Sequence, residues 1–266
     1  MKKPQLWPVI RRVWISAALT ATAVFVTWSL VAYRANAEAR AAAASEGVVS
    51  VDGVWRFTPA SDAKTSTLIF FPGSLVDPRA YAPLASSVAA AGYPVLVVEL
   101  PRRGAFGGAE SASLRMRIAA AMSSIPAHHA VVIGGHSRGA VVASSVAARE
   151  SRLAGLVLIG TSHPRDVDLS GLKMPVTKIV GTRDGLASPE EVEQNAALLP
   201  AHTRWIRIEG GNHSQFGWYG FQPLDRRPRI AADEQHAIMI SAVLDLLHAI
   251  DSNNAQHNAG EFRGQQ

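Results

Sequence analysis

The sequence contains no cysteine among its 266 residues. This absence excludes disulfide bonds, a thiolate nucleophile and thiolate-ligated metal sites. Exported domains of this size can be stable through their hydrophobic core alone, so the lack of cysteine is compatible with export without identifying a compartment. Any covalent catalysis by this chain must use a different nucleophile.

The sequence also lacks the concentrated positive charge that is typical of nucleic-acid-binding proteins. Of its 26 basic and 21 acidic residues, six basic and one acidic lie within residues 1–40, which leaves 20 of each sign in the rest of the chain. The basic residues of that remainder form only local pairs, such as Arg102-Arg103 and Arg226-Arg227. We therefore expect no nucleic-acid partner. Arg102-Arg103 follows the carboxyl end of a predicted strand, where open α/β sheets place ligands, so an anionic substrate stays open.

Near the amino terminus, residues 13–33 form a stretch of 21 residues without a charged side chain. As a helix, this stretch is long enough to cross roughly 30 Å of hydrocarbon. Four basic residues precede it: Lys2, Lys3, Arg11 and Arg12. Because basic residues favour the cytoplasmic side, we expect a cytoplasmic segment at 1–12, a single transmembrane helix at 13–33 and a catalytic domain outside the cytoplasm.

A cleaved signal peptide is the competing interpretation of this segment, because Ala35-Asn36-Ala37 resembles a small-x-small processing site. Cleavage near Ala37 would produce a secreted protein. The apolar stretch is longer than the usual 7 to 15 residues of a signal-peptide core, so we favour an uncleaved anchor. Residues 34–46 are then a linker, whose alanine-rich part predicts a short helical or flexible stalk.

The strongest sequence feature for function is the run of residues 130–140, AVVIGGHSRGA. Its first part is typical of a buried strand, its end starts a helix, and Gly-x-Ser-x-Gly lies between them. A serine at such a sharp turn is exposed in a strained backbone conformation, and Gly135 and Gly139 leave space for the strand and the helix to cross. The pattern predicts that Ser137 is a nucleophile.

Two later strands supply the partners that a serine nucleophile needs. The strand at residues 176–181 is followed by Asp184, and the strand at 204–208 is followed by His213. The chain order serine, acid, histidine is the order found with this kind of turn. Among the alternatives, His202 precedes a strand, and Glu209 is too close to His213 to lie on a separate strand. We therefore predict Ser137, Asp184 and His213 as the catalytic residues.

The oxyanion that forms during acyl transfer needs backbone N–H donors. The residue after the nucleophile, Arg138, is predicted to supply one. The second should lie where the apolar strand at residues 67–71 ends at Pro72-Gly73, and Ser74 is the candidate, with Leu75 left open. The competing interpretation of this segment is a plain turn into the next helix.

Six apolar runs alternate with helical patterns between residues 67 and 250, which predicts an α/β fold with a mostly parallel sheet and helices on both faces. We expect one domain at residues 47–252, an antiparallel edge near residues 48–57 and a flexible tail at 253–266. The segment at 161–175 is too short for a lid. The aromatic loop at 215–229 either walls an acyl pocket or packs on the domain.

With these motifs, the chain resembles the alpha/beta-hydrolase superfamily, and within it a lidless group of bacterial hydrolases related to alpha/beta hydrolase fold-5. The resemblance extends from about residue 49 to residue 250. Ser74, Arg138 and Arg102-Arg103 depart from the residues that are common in that group, which affects substrate choice more than catalysis. The segments that carry the resemblance are Phe70-Phe71-Pro72-Gly73, residues 76–81, residues 134–139, Gly181-Thr182-Arg183-Asp184-Gly185 and residues 210–220.

The resemblance implies hydrolysis of esters or related acyl compounds without a metal or an organic cofactor. We therefore expect a membrane-anchored serine hydrolase that forms an acyl-enzyme on Ser137 and acts on a small-molecule acyl substrate. A peptidase or acyltransferase with the same triad, or a catalytically silent envelope binding module, are the alternatives. The sequence fixes neither the substrate nor the oligomeric state.

Overall fold

The computed structural model describes residues 6–263, with side chains described up to residue 253. The seven α-helices within this range are α1 (Leu6–Ala32), α2 (Ala37–Ala43), α3 (Ala82–Ala90), α4 (Ala112–Ser123), α5 (Arg138–Ala147), α6 (Pro189–Gln194) and α7 (Ala232–Arg263). The eight strands are β1 (Val48–Val51), β2 (Val54–Phe57), β3 (Ser66–Phe71), β4 (Val95–Val98), β5 (Ala130–His136), β6 (Leu153–Ile159), β7 (Val176–Gly181) and β8 (Arg204–Ile208).

The strands form a single sheet in the order β1-β2-β4-β3-β5-β6-β7-β8. Strands β3 to β8 are parallel, while β1 and β2 pair antiparallel at one edge. The β1–β2 hairpin turns through Asp52-Gly53, both at positive φ (50° and 77°), as a tight two-residue hairpin loop requires. The predicted α/β class, with its parallel sheet and antiparallel edge, is confirmed.

The sheet carries a hydrophobic core on each face, because alternate residues of a strand point to opposite sides. In β3, Leu68 and Phe70 join the core under α3 and α7, whereas Ile69 and Phe71 join the core under α4 and α5. The connection from β6 to β7 contains neither helix nor strand, in agreement with a fold that has no large lid.

The structure adds detail to two segments at the predicted domain boundaries. Within the predicted linker at 34–46, α2 is packed against the domain, with Ala35 and Ala39 almost fully buried. Small alanine side chains allow this close approach, and Asn36 caps the helix by accepting from the Ala39 N–H at 2.8 Å. The predicted tail at 253–266 is helical as far as Arg263, since no proline interrupts α7. Residues 264–266 of the predicted tail lie outside the described residues.

Candidate active site

Ser137 lies at the turn between β5 and α5 with φ 53° and ψ −119°, a conformation that is strained for any residue with a side chain. Two glycines, Gly135 and Gly139, allow the start of α5 to cross close to the ends of β3 and β5. A Cβ on Gly135 would lie 2.4 Å from the Gly139 carbonyl carbon, and a Cβ on Gly139 would lie 2.0 Å from the Phe71 carbonyl oxygen. The α5 helix can therefore pass directly over the end of β3, which brings Ser137 next to the loop that follows β3.

Asp184 and His213 form a buried pair at the ends of β7 and β8. The Nδ1 of His213 lies 2.8 Å from Oδ2 of Asp184, and the two side chains are 2% and 1% exposed. The other carboxylate oxygen of Asp184 accepts from the backbone N–H groups of Leu186 and Ala187, at 2.8 and 2.7 Å. These bonds fix the carboxylate, so that His213 carries its Nδ1 proton toward Asp184 and presents Nε2 as a base.

The ring of His213 packs against the ring of His136, the residue before Ser137, with the two centroids 4.5 Å apart. Within the described residues, Nε2 of His213 has no hydrogen-bond partner, so the bond to Ser137 Oγ is not formed. In free enzymes such catalytic hydrogen bonds are often long and shorten when substrate binds. The structure therefore places the Asp184–His213 pair beside the residue that precedes Ser137, and leaves Nε2 of His213 without a partner among the described residues.

Burial lowers the pKa of His213, but the charge of Asp184, its hydrogen bond and the charge of Asp225 together outweigh burial and hold this pKa above its ordinary value of 6.5. A carboxylate that stabilises the imidazolium makes the imidazole a stronger base. The electrostatics of the pair are those needed to accept a proton from a hydroxyl group.

Asp225 is a site residue that the sequence did not reveal. Its Oδ1 accepts from the backbone N–H groups of Gly185 (3.0 Å) and His213 (3.3 Å). Its Oδ2 accepts from both the N–H and the hydroxyl of Ser214, each at 2.7 Å. Asp225 thus joins the loop that carries Asp184 to the loop that carries His213. It lies in an irregular loop without periodicity, so no sequence signal distinguished it.

A second contact holds the His213 loop from α7. Gln235 accepts from the Asn212 N–H at 3.0 Å and donates to the Asn212 carbonyl at 2.7 Å, with both residues fully buried. This paired bond fixes the backbone immediately before His213. The sequence showed Gln235 only as a polar residue in a helix.

The loop after β3 has one free backbone donor beside the nucleophile turn. The Gly73 N–H donates to Tyr81 Oη at 3.0 Å, and the Leu75 N–H donates to the Arg103 carbonyl at 2.7 Å. Among the described residues, the N–H groups of Ser74 and Arg138 have no acceptor. Of the two open candidates, Ser74 is therefore the one whose N–H can still bind an oxyanion.

Tyr81 and His136 hold the loop after β3 in place through buried hydrogen bonds. Tyr81 Oη accepts from the Gly73 N–H and is also hydrogen-bonded to His136 Nδ1, at 2.7 Å. Burial and the nearby charge of His213 lower the pKa of His136 well below its ordinary range, which keeps it neutral. His136 therefore anchors the loop through Tyr81.

The aromatic loop at 215–229 mainly packs on the domain. Phe216 and Trp218 are buried, Trp218 stacks on His236 with centroids 3.6 Å apart, and Tyr219 stacks on Tyr33. A cavity of about 240 Å³ lies between this loop and Asn36. In the described part of the chain, no group of three or more potential metal ligands converges.

Comparisons with known proteins agree with this architecture. A structure of an alpha-beta serine hydrolase homologue from Coxiella burnetii matches with a TM-score of 0.56 and 15% identity, covering 74% of this chain and 97% of the other. A serine hydrolase without a lid from Xanthomonas campestris matches with a TM-score of 0.53 and 16% identity, covering 76% and 93%.

An esterase domain from Rhodothermus marinus matches with a TM-score of 0.51 and 14% identity, over 72% of this chain and 89% of that domain. At these identities the structures establish the fold alone. No curated protein sequence matches significantly. The sequence profile of the alpha/beta hydrolase family matches residues 67–237, which is more than half of the chain. The chain belongs to the alpha/beta hydrolase family.

Proposed function

We propose that this protein is a serine hydrolase that cleaves carboxylic esters or related acyl compounds through an acyl-enzyme on Ser137. The observation that carries the proposal is the buried Asp184–His213 pair, whose imidazole contacts His136, the residue before the strained Ser137. Family membership supports hydrolysis, and the residue types at these three positions supply the nucleophile, the base and the group that orients the base.

The proposed reaction proceeds in two transfers. Ser137 Oγ attacks the substrate carbonyl carbon while His213 Nε2 takes the hydroxyl proton, and the oxyanion is bound by the N–H groups of Ser74 and Arg138. When the bond to the leaving group breaks, His213 returns the proton to that group. Water, deprotonated by His213, then releases the acyl group and restores the Ser137 hydroxyl.

The location that we propose is a membrane, with α1 as an uncleaved anchor and the domain outside the cytoplasm. α1 is 27 residues long and apolar enough to span a bilayer or to act as a signal sequence. The packing after α1 supports the anchor, because cleavage near Ala37 would remove the buried Ala35 and the Asn36 cap of α2. Alkaline extraction of membranes tests the anchor: an integral protein stays in the pellet.

The enzymatic proposal is tested by assaying the purified full chain against p-nitrophenyl esters of increasing length, peptides and thioesters. We expect turnover of esters, and its loss in Ser137→Ala. The matched control is Ser145→Ala, an exposed serine on the same helix, which should retain full activity. A preference for peptides over every ester, or transfer to an acceptor alcohol in place of water, would instead assign a peptidase or an acyltransferase.

A further inference from the structure

The chain leaves α1 directly beside the candidate active site. The Ala32 carbonyl accepts from the Gly220 N–H at 2.7 Å, and the Tyr33 carbonyl accepts from the Asp77 N–H at 2.9 Å. Gly220 lies in the loop that carries His213, and Asp77 lies three residues after Ser74. The end of the apolar helix is therefore hydrogen-bonded to both loops that build the site.

This arrangement fixes which side of the domain faces the helix. The loops after β3, β4, β5, β6, β7 and β8 lie at the carboxyl ends of parallel strands and so share one edge of the sheet, which we call the active-site edge. Because α1 ends at this edge, a bilayer that α1 crosses lies next to it. The opposite edge, with the loops that precede the strands, then lies farther from the bilayer.

The active-site edge carries exposed apolar side chains. Phe106 is 92% exposed, Leu224 is 83% exposed and Leu75 is 42% exposed, each in a different loop. All three have positive φ (47°, 71° and 65°), a conformation that is rare for residues with a side chain. Strained backbone thus holds apolar groups on the surface around Ser137.

Positive charge surrounds these apolar groups. Five exposed arginines lie on the loops after β4 and β8: Arg102, Arg103, Arg226, Arg227 and Arg229. Among the described residues, no carboxylate lies within ion-pair distance of them. Most acidic groups on the loops at this edge have partners: Asp77 pairs with Arg79, Glu99 accepts from Trp55, Glu110 pairs with Arg138, Asp184 pairs with His213, and Asp225 accepts from backbone N–H groups. The exposed carboxylates are Glu209 and, on the loop after β6, Asp166 and Asp168. Apolar side chains among arginines are typical of surfaces that bind anionic lipid bilayers.

We propose that the active-site edge rests on the bilayer that α1 spans, and that Ser137 takes its acyl ester from an amphiphilic lipid of that leaflet. This inference rests on the proposed function, since it needs both the anchor and the nucleophile. It adds the substrate class and the orientation of the domain. The arginines bind anionic headgroups, while Phe106 and Leu224 enter the interface.

The orientation is tested with single cysteines, which are unique in a chain that has none. The full chain is placed in phosphatidylcholine–phosphatidylglycerol vesicles with an environment-sensitive fluorophore at Phe106→Cys or Leu224→Cys. The matched controls are Ala201→Cys and Ser151→Cys, exposed positions at the opposite edge. We expect headgroup nitroxide lipids to quench the first pair at least about twofold more than the controls. Equal quenching at both edges, or none at either in protein that floats with the vesicles, overturns the orientation.

The substrate class is tested by the ratio of two rates, hydrolysis of a long-chain lipid ester in these vesicles and of a soluble short-chain ester. In the double variant Phe106→Ser, Leu224→Ser we expect this ratio to fall about 10-fold, because interfacial contact is lost. Met116→Ser, at an apolar residue 66% exposed on α4, should leave the ratio unchanged. An unchanged ratio in the double variant overturns the lipid assignment.

Failure of the proposed function is separately visible in these experiments. A chain that hydrolyses the soluble ester but does not float with vesicles contradicts the anchor and the orientation together. A chain that floats and is quenched at the active-site edge, yet hydrolyses neither ester, contradicts the enzyme and the lipid substrate but not the orientation.

Discussion

Asp184 and the backbone around His213 are buried and fixed by hydrogen bonds, whereas Ser137 lies on strained backbone beside two N–H groups that have no acceptor among the described residues. Under the proposed function, the first is the acid–base half of the site, which Asp225 and Gln235 hold, and the second is the nucleophile half, where glycines allow close crossing of the backbone. The difference teaches that a proton acceptor needs a fixed orientation, while a nucleophile and its oxyanion donors must remain free for substrate.

The acid–base half should respond most strongly to Asp184→Asn. The amide cannot hold His213 in the correct tautomer or stabilise the imidazolium, so we expect kcat to fall by about 10⁴-fold, with the fold intact. Steady-state kinetics with a p-nitrophenyl ester and circular dichroism measure the two effects. The exposed Asp62→Asn is the control. If Asp184→Asn were as active as Asp62→Asn, the acid would be wrongly assigned.

In the nucleophile half, we expect the main loss to be of stability, from a substitution that makes two backbone segments clash. In Gly139→Ala the new Cβ meets the Phe71 carbonyl oxygen at 2.0 Å, and backbone cannot move aside as a flexible side chain does. We expect the free energy of unfolding to fall by about 3 kcal/mol. Gly171→Ala is the matched control, because no atom lies within 4 Å of its Cβ position. Equal denaturation midpoints for the two variants would contradict the close crossing.

The variant Asp225→Asn weakens the hydrogen bonds that hold the acid–base half, and it leaves Ser137, Asp184 and His213 unchanged. The variant loses the acceptor for the Ser214 donors and one negative charge near His213, so we expect kcat/KM to fall on the order of 10-fold.

The pH dependence of kcat/KM in Asp225→Asn distinguishes an effect of Asp225 on His213 from general damage to the fold. Hydrolysis needs neutral His213, so activity is lost as pH falls through the His213 pKa, which lies above its ordinary value of 6.5. Removing the Asp225 charge lowers this pKa, and the acid limb of kcat/KM should move to lower pH. An acid limb at the same pH as in the unmodified protein would show that the charge of Asp225 does not act on His213.

The smallest effect is expected for Tyr81→Phe in the nucleophile half. The change leaves the Gly73 N–H and His136 Nδ1 without their partner in a buried place, which should cost about 1–3 kcal/mol of stability. Because the Ser74 N–H is untouched, kcat should change only a few-fold. Thermal unfolding and kinetics measure both quantities. A loss of kcat as large as that of Asp184→Asn would make Tyr81 part of the catalytic machinery.

Features set by residues close together in the sequence could be predicted, whereas contacts between distant segments of the chain could not. The strand alternation, the Ser137 turn and the loops carrying Asp184 and His213 are local patterns, and the fold that they predict is confirmed. The bonds made by Asp225, Tyr81 and Gln235 join residues from separate segments of the chain. Nothing in the local composition distinguishes such residues from ordinary polar loop or helix positions.

The segment at 34–46 shows the same limit. Its alanine-rich composition predicts a short helical or flexible stalk, and the same small side chains let the helix α2 lie close to the domain, with Ala39 fully buried. The docking depends on two contacts with the 215–229 loop. The Tyr219 ring stacks on the Tyr33 ring, and the Trp218 indole N–H donates to Glu38. Only the folded chain brings these surfaces together.

The most direct test of the central claim is covalent labelling of the folded chain with a fluorophosphonate, followed by peptide mass spectrometry. We expect one adduct, on Ser137, that disappears in Ser137→Ala, persists in Ser145→Ala and forms much more slowly in Asp184→Asn. Folded protein that acquires no adduct on Ser137 would contradict the assignment of this chain as a serine hydrolase.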